Sequence, residues 1–213
     1  KIAFSFDTLK QDRPMKLLIS PASPYVRKVR VLLREAKLLD TVEEITISTN
    51  ALASNTTVIA ANPTGKIPTL IRGDGPAIFD SRVITRFLDD HANTSLYPNT
   101  RIWEVLTLEA MGDAIMDSAV SMAYEVRLRP QEKQSAEWSD AQWAKVARTV
   151  STINEGWISH LSGPLNMGQI GVACALSYLD LRHDARGWRQ GNAPLAEWHA
   201  AFSTRDSMVA TTA

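Results

Sequence analysis

The apolar positions of this chain change their spacing near its middle. From Met15 to His91 the apolar runs are short and differ in kind. Met15–Ile19 (MKLLI) is a continuous apolar run, the pattern of a buried strand. Residues 23–39 (SPYVRKVRVLLREAKLL) predict a helix, and 42–48 (VEEITIS) alternate as a strand does. Residues 52–61 (LASNTTVIAA) predict a second helix. PTLIR, GDGP and AIF, over 68–79, predict a tight hairpin. Residues 81–91 (SRVITRFLDDH) predict a helix with Val83, Ile84, Phe87 and Leu88 on one face. The order is βαβ, then αββα. A βαβ unit needs a parallel crossover and a hairpin adds an antiparallel edge, so a small mixed sheet covered by helices is expected.

After Leu96 the strand pattern stops. All six tryptophans (103, 138, 143, 157, 188 and 198) lie beyond it. Helices are expected over 101–128, 139–161, 168–184 and 194–202. The third is apolar on nearly every side as far as Ser177, which places it at the centre of a bundle. Asn166 and Gln169 have the spacing of an Asn-x-x-Gln capping box at its start. The expected fold class is therefore α/β plus all-α. A mixed-sheet domain occupies 15–91, a polar linker containing Pro98 occupies 92–100, and an all-helical domain occupies 101–213. Residues 1–14 precede Met15, which reads as a natural start; they are taken as an expression remnant or an upstream segment.

Charge and composition narrow the partners. The 23 Lys and Arg residues are balanced by 23 Asp and Glu, so the basic excess of a nucleic-acid binder is missing and no such partner is expected. The longest compact apolar run, 170–176 (IGVACAL), is far too short to span a bilayer. With no signal-peptide pattern, no membrane partner and a cytoplasmic location are expected. Cys174 is the single cysteine, so no internal disulfide forms.

Three short stretches carry candidate chemistry, each with a plain structural explanation beside a functional one. Ser23-Pro24 opens the first helix. Serine is a strong N-cap and proline suits the first helical position, which explains the pair without any activity. The same geometry also suits a thiolate, because a helix N-terminus presents free N–H groups and a serine hydroxyl can donate. Lowering a thiol pKa by two units takes about 2.7 kcal/mol. A hydrogen bond to the charged sulfur supplies about 1.5–3 kcal/mol and the helix end about 0.3–1 kcal/mol. No cysteine lies in this half, so the thiol must belong to a bound ligand.

The second stretch is 62–70 (NPTGKIPTL), which is punctuation before a strand or something more. A cis Ile67-Pro68 bond would turn the Ile67 N–H and C=O outward to pair with an extended peptide. The third is Phe79-Asp80-Ser81. Asp80 and Ser81 are good caps. Alternatively Ser81 takes an α-carboxylate at the helix end and Asp80 takes an ammonium.

The order and spacing of SPYVRKVR, NPTGKIPTL and Asp80-Ser81 resemble the cytosolic glutathione transferases, more narrowly their bacterial branch with a serine at the active-site position. The resemblance continues through IGVACALSYLDLR at 170–182 and FSTRDSMVATT at 202–212. It implies a thioredoxin-like first domain, an all-helical second domain and a homodimer. It further implies that Ser23 activates the thiol of glutathione, the co-substrate. Ile67 before a cis Pro68 would bind the cysteinyl backbone, Asp80 and Ser81 the γ-glutamyl end, and Lys66 the glycyl side. The implied function is addition of glutathione to a small-molecule electrophile. A glutathione-binding regulatory protein with little catalysis and a glutathione-dependent peroxidase or lyase are the alternatives. Ser20 is a rival to Ser23.

Three positions depart from the family pattern. Asp80 stands where Glu is frequent, Gln169 where Asp is common, and the stretch 160–166 looks short. The remaining features read as structural. Arg27, Lys28, Arg30 and Arg34 form a basic cluster expected to be a solvated helix face. His91, His160, His183 and His199 lack metal-ligand spacing, so no metal is expected. Cys174 is expected to act as a small buried hydrophobe. The resemblance puts the acceptor pocket near Met111, Met116, Met122 and Tyr124 on the first long helix of the second domain; taken singly, each reads as a core or dimer-interface residue. The GDG at 73–75 is a turn, not a phosphate loop.

Overall fold

A computed structural model describes residues 14–213. Apart from Pro14, the expectation for residues 1–14 lies outside the described residues. The first half forms a three-stranded sheet in the order β2-β1-β3. β1 (Met15–Ile19) pairs in parallel with β2 (Val42–Thr46), Met15 opposite Val42. It pairs antiparallel with β3 (Thr69–Ile71), Leu18 opposite Thr69. The parallel crossover is α1 (Pro24–Glu35). Its buried residues Val26, Val29, Leu32 and Leu33 recur at helical spacing and join Leu17, Ile19 and Leu70 of the sheet in one core.

The expected hairpin is reduced. Its second arm pairs only through Ile78 with Leu70. A short helix α2 (Thr56–Ala61) precedes β3, and α3 (Ser81–Ala92) closes the half. The apolar face of α3 is narrower than expected: Ile84 and Leu88 are fully buried, but Val83 is 47% exposed. The polar Thr85 takes its place inside, where its hydroxyl donates to the Ser81 carbonyl.

The second half is helical. α4 (Ile102–Leu128) is followed by α5 (Ala136–Gly156), α6 (Ile158–Leu161), α7 (Met167–His183), α8 (Ala193–Phe202) and α9 (Asp206–Val209). The helix expected over 139–161 starts earlier, because Ser135 caps it through the Trp138 N–H, and it breaks at Trp157. α7 runs through the centre of the bundle, buried from Met167 to Leu176.

α4 and α7 approach backbone to backbone. A Cβ on Gly112 would lie 2.8 Å from the Gly171 carbonyl carbon and 3.0 Å from the Val172 nitrogen. Neither can rotate away. Gly112→Val is expected to cost about 2 kcal/mol through overpacking, read as a lower midpoint in chemical unfolding; an unchanged midpoint would contradict this packing.

The capping box at α7 is half-formed. Asn166 Oδ1 accepts from the Gln169 N–H at 3.2 Å. The Gln169 side chain does not reach back to close the box. Its amide nitrogen donates instead to the carbonyls of Leu161 (3.1 Å) and Gly163 (3.0 Å). The short 160–166 stretch is thus tied to α7 from inside.

The basic cluster of α1 is not a solvated face. Lys28 is completely buried, with Nζ 2.8 Å from Asp113 Oδ1 and 3.1 Å from Glu109 Oε1 on α4. Arg30 and Arg34 share the carboxylate of Glu44 on β2. Arg27 donates from Nη2 to the Met208 carbonyl at 3.0 Å. The last helix is strapped to the same element: Glu35 accepts from Arg205 Nε and Nη2, both at 2.9 Å, and from the Ser207 hydroxyl. α1 therefore packs against α3, α4, α7 and α9. Each cation reads as solvated in the sequence because its partner lies far away in sequence or on another element.

Candidate functional site

Ser23 is the N-cap of α1, as its local sequence requires. Its Oγ accepts from the Val26 N–H at 3.4 Å, a long bond. Among the described residues its hydroxyl hydrogen has no acceptor, so it is free to donate. The antiparallel pairing of Leu18 with Thr69 sets the end of β1 beside the start of β3. Ser20–Ser23 and Ile67-Pro68 therefore lie at the same end of the sheet.

The Ile67-Pro68 bond is cis. Among the described residues neither the N–H nor the C=O of Ile67 has a hydrogen-bond partner. The loop carrying it is built on Asn62, which is 2% exposed. Its Nδ2 donates to the Lys66 carbonyl at 2.9 Å and to Thr69 Oγ1 at 3.2 Å. Its Oδ1 accepts from the Thr64 N–H and hydroxyl. Gly65 sits within the loop at φ +67°, a region that favours glycine. Lys66 is exposed and Pro68 is buried. Asn62 was visible in NPTGKIPTL only as turn punctuation; its buried amide holds the peptide edge in place.

Asp80 is the N-cap of α3, with Oδ1 accepting from the Arg82 N–H at 3.0 Å. It is exposed, whereas Ser81 is buried. Burial alone would raise the Asp80 pKa, but the hydrogen bond and charge of Arg82 hold it below the ordinary carboxylate value. Arg82 Nη2 is 3.1 Å from Asp80 Oδ2, and its Nε is 3.6 Å from Asp113 Oδ2. Asp113 pairs with Lys28, Lys28 with Glu109, and Glu109 accepts from the Tyr97 hydroxyl at 2.9 Å. The Tyr97 and Thr85 hydroxyls lie 2.8 Å apart, and Thr85 donates to the Ser81 carbonyl. A closed circuit of polar contacts thus starts at Asp80 and returns at Ser81. Arg82, Asp113, Lys28, Glu109 and Tyr97 had no signal in local sequence, since their partners come from three elements.

Burial would lower the Lys28 pKa, but Asp113 and Glu109 outweigh it and hold the ammonium above its ordinary value. Burial pushes the Asp113 carboxyl up, against the pull of Lys28. The three charges offset one another only as a unit, and Asp113 Oδ2 is buried without a hydrogen-bond partner among the described residues.

A pocket of about 380 Å³ opens beside Ser23. One side is the β1–α1 turn, Pro21–Pro24, with Arg27 from the next turn of α1. The other comes from α7 (Cys174, Ser177, Tyr178), from α8 (His199) and from the tail at Thr212. Ser20 is not in its wall. Burial raises the Cys174 thiol to about 11, so the thiol stays protonated and inert at neutral pH. His199, expected to be structural or exposed, is 4% exposed, with Nε2 3.0 Å from Ser177 Oγ and 3.3 Å from Ser203 Oγ. Met116 and Met122 are core residues, and Tyr124 is 38% exposed; none of them lines this pocket. Among the described residues no cluster of three or more His, Cys, Asp or Glu is placed to hold a metal, and no helix is long and apolar enough to cross a membrane.

The arrangement offers an uncommitted hydroxyl at a helix N-terminus, an unpaired peptide edge, a capped acidic dipeptide and a pocket. Residues 22–91 match the family model of the glutathione S-transferase N-terminal domain, and 136–201 match that of the C-terminal domain. YibF, an uncharacterised GST-like protein of Escherichia coli strain K12, is 31% identical over 205 residues, covering 92% of this chain and 98% of that one. A glutathione transferase family member from Pseudomonas fluorescens Pf-5, solved with bound glutathione, is 40% identical with a TM-score of 0.90, covering 93% and 98%. A structure from the same organism with bound S-(propanoic acid)-glutathione is 40% identical with a TM-score of 0.85, covering 92% and 98%. With both domain models matched in order and a relative matched over nearly its whole length, this chain belongs to the glutathione S-transferase family.

Proposed function

We propose that this protein is a glutathione transferase that ionises the thiol of glutathione with Ser23 and adds it to a small electrophile held in the adjoining pocket. The observation that carries this reading is the pocket itself: about 380 Å³ of space with Ser23 in its wall, within the size range of small-molecule sites. A binder with little catalysis would need no such space beside the sulfur. The peroxidase or lyase alternative uses the same thiolate and gains no separate support from the geometry.

In this reading glutathione lies along the sheet end. Its cysteinyl backbone pairs with the free N–H and C=O of Ile67, next to Pro68. The γ-glutamyl carboxylate meets Ser81 at the start of α3 and the ammonium meets Asp80, which the Arg82 contact keeps ionised. Lys66 is exposed and free to meet the glycyl carboxylate. The glutathione-bound relative at 40% identity supports the choice of ligand. Ser23 is preferred to Ser20 because only Ser23 reaches the pocket wall. In this reading the protein works in the cytoplasm as a homodimer; the dimer is supported by Trp103 on α4 and Val83 on α3, which stand 76% and 47% exposed. Sedimentation at monomer mass would exclude the dimer.

The test is an absorbance titration of the thiolate of bound glutathione in the wild type and in Ser23→Ala. Losing a hydrogen bond to a charged sulfur should raise the thiol pKa by about one to two units. An identical pKa in the two proteins would remove Ser23 from the mechanism.

A further inference from the structure

The charged side chains around the pocket are not all paired. Arg27 is half-buried in its wall, one helical turn beyond Ser23. Nη2 donates to the Met208 carbonyl and Nε, at 3.4 Å, to the Thr211 hydroxyl. Among the described residues no carboxylate lies within ion-pair distance of it, and Nη1 has no partner. Asp180, the acid in the same wall, is already occupied: both of its oxygens are taken by Arg189, and Oδ1 also accepts from the Trp188 ring N–H at 2.7 Å. His199 is neutral at physiological pH, because burial depresses its pKa to about 4. The pocket, whose wall also includes Ala213, thus presents one guanidinium with no ion-pair partner among the described residues and the hydroxyls of Ser23, Ser177 and Ser203, beside apolar surface from Ala22 and Leu181.

We propose that this pocket selects acceptors bearing a carboxylate, which Arg27 holds while the electrophilic carbon faces Ser23. A guanidinium with N–H groups to spare suits a carboxylate, and the pairing is charge-assisted. Ser23 and Arg27 line the same pocket from one end of α1, so an acceptor held at the guanidinium shares its space with the sulfur at Ser23. The reactive half of the proposal rests on the transferase reading; the carboxylate-binding half does not. With 4-chloro-3-nitrobenzoate the thiol proton goes to solvent. The thiolate then forms a C–S bond at the ring carbon, and chloride leaves with the C–Cl electron pair.

Calorimetry with unreactive probes tests the pocket directly. The affinities of 3-nitrobenzoate and 3-nitrobenzamide are compared with S-methylglutathione saturating. The wild type should bind the carboxylate at least about tenfold more tightly than the amide, the worth of a charge-assisted hydrogen bond. Arg27→Gln should erase the preference and Arg27→Lys should keep part of it. Leu181→Glu, at a 43% exposed position in the wall and away from the tail contacts of Arg27, should weaken the benzoate alone. Equal affinities in the wild type, or a preference that persists in folded Arg27→Gln, would overturn the proposal. Turnover of 4-chloro-3-nitrobenzoate and its amide, each divided by its uncatalysed rate, separates the two readings. Arg27-dependent benzoate binding without turnover of either acceptor would sink the transferase and leave the pocket assignment standing. Turnover of both acceptors with equal binding would do the reverse.

Discussion

Replacing Lys28 with methionine should lower the folding free energy by about 3–5 kcal/mol, the cost of stranding buried charge. The side chains of Lys28 and Glu109 are 0% and 2% exposed, and that of Asp113 is 11% exposed. Removing the ammonium leaves two carboxylates close together away from water, with only the Tyr97 hydroxyl on Glu109 and the 3.6 Å Arg82 contact on Asp113 to offset their desolvation. Arg82 can compensate only in part, since its Nε already stands 3.6 Å from Asp113 and its side chain is 57% exposed. Denaturant unfolding of the wild type and Lys28→Met reads the loss. The triple variant Lys28→Met, Glu109→Gln, Asp113→Asn should recover much of it, because a neutral cluster carries no stranded charge. A loss under about 1 kcal/mol in the single variant would mean that the triad contributes little, as surface pairs do. The same variant should weaken glutathione binding, because Asp113 would draw Arg82 away from Asp80.

Acid should cost this protein stability through His199 well before most carboxylates titrate. Burial, opposed by Asp180, depresses its pKa in the folded protein from the ordinary 6.5 to about 4. Between those values the unfolded chain binds a proton that the folded protein refuses, so stability rises with pH across the window. The contribution is whole above about pH 6.5 and is lost progressively towards pH 4, about 3 kcal/mol in total. Arg189 and Arg27 also disfavour the charged ring, so they act in the same direction. Unfolding free energies at pH 7.5 and 4.5 for the wild type and His199→Asn give the measurement. The wild type should lose about 2 kcal/mol more than the variant on acidification. Parallel losses would show that the ring titrates alike in both states. The pocket should loosen over the same range, since a protonated His199 can only donate at the contacts with Ser177 and Ser203.

The elements of the first half were legible because each is a short periodic run with a chemical signal at its edge. Ser23, Asp80 and Asn166 all cap the helices they precede, as residues of their type do without tertiary help. The cis Ile67-Pro68 bond was legible for the same reason: the chemistry is in the dipeptide. The failures share a different cause. Lys28 looked solvated because its acids lie 81 and 85 positions away, beyond any local pattern. Gln169 looked like half of a box, but four nearby carbonyls compete for its amide. Val83 looked buried by spacing alone, yet Thr85 takes the inward place because Tyr97 and Ser81 satisfy its hydroxyl. The pocket was out of reach altogether, since its second wall comes from residues more than 140 positions beyond Ser23. Helix boundaries moved by a few residues where a cap such as Ser135 lay just outside the apolar run.

The strap from Arg205 and Ser207 to Glu35 has a consequence during synthesis. α1 leaves the ribosome well before the residues that cover its outer edge, since Arg205 and Ser207 lie 170 and 172 positions beyond Glu35. The sheet half therefore cannot finish assembling until α9 has been made. Its nascent form must wait, with Arg27 and Glu35 bare, until α9 emerges and closes over them.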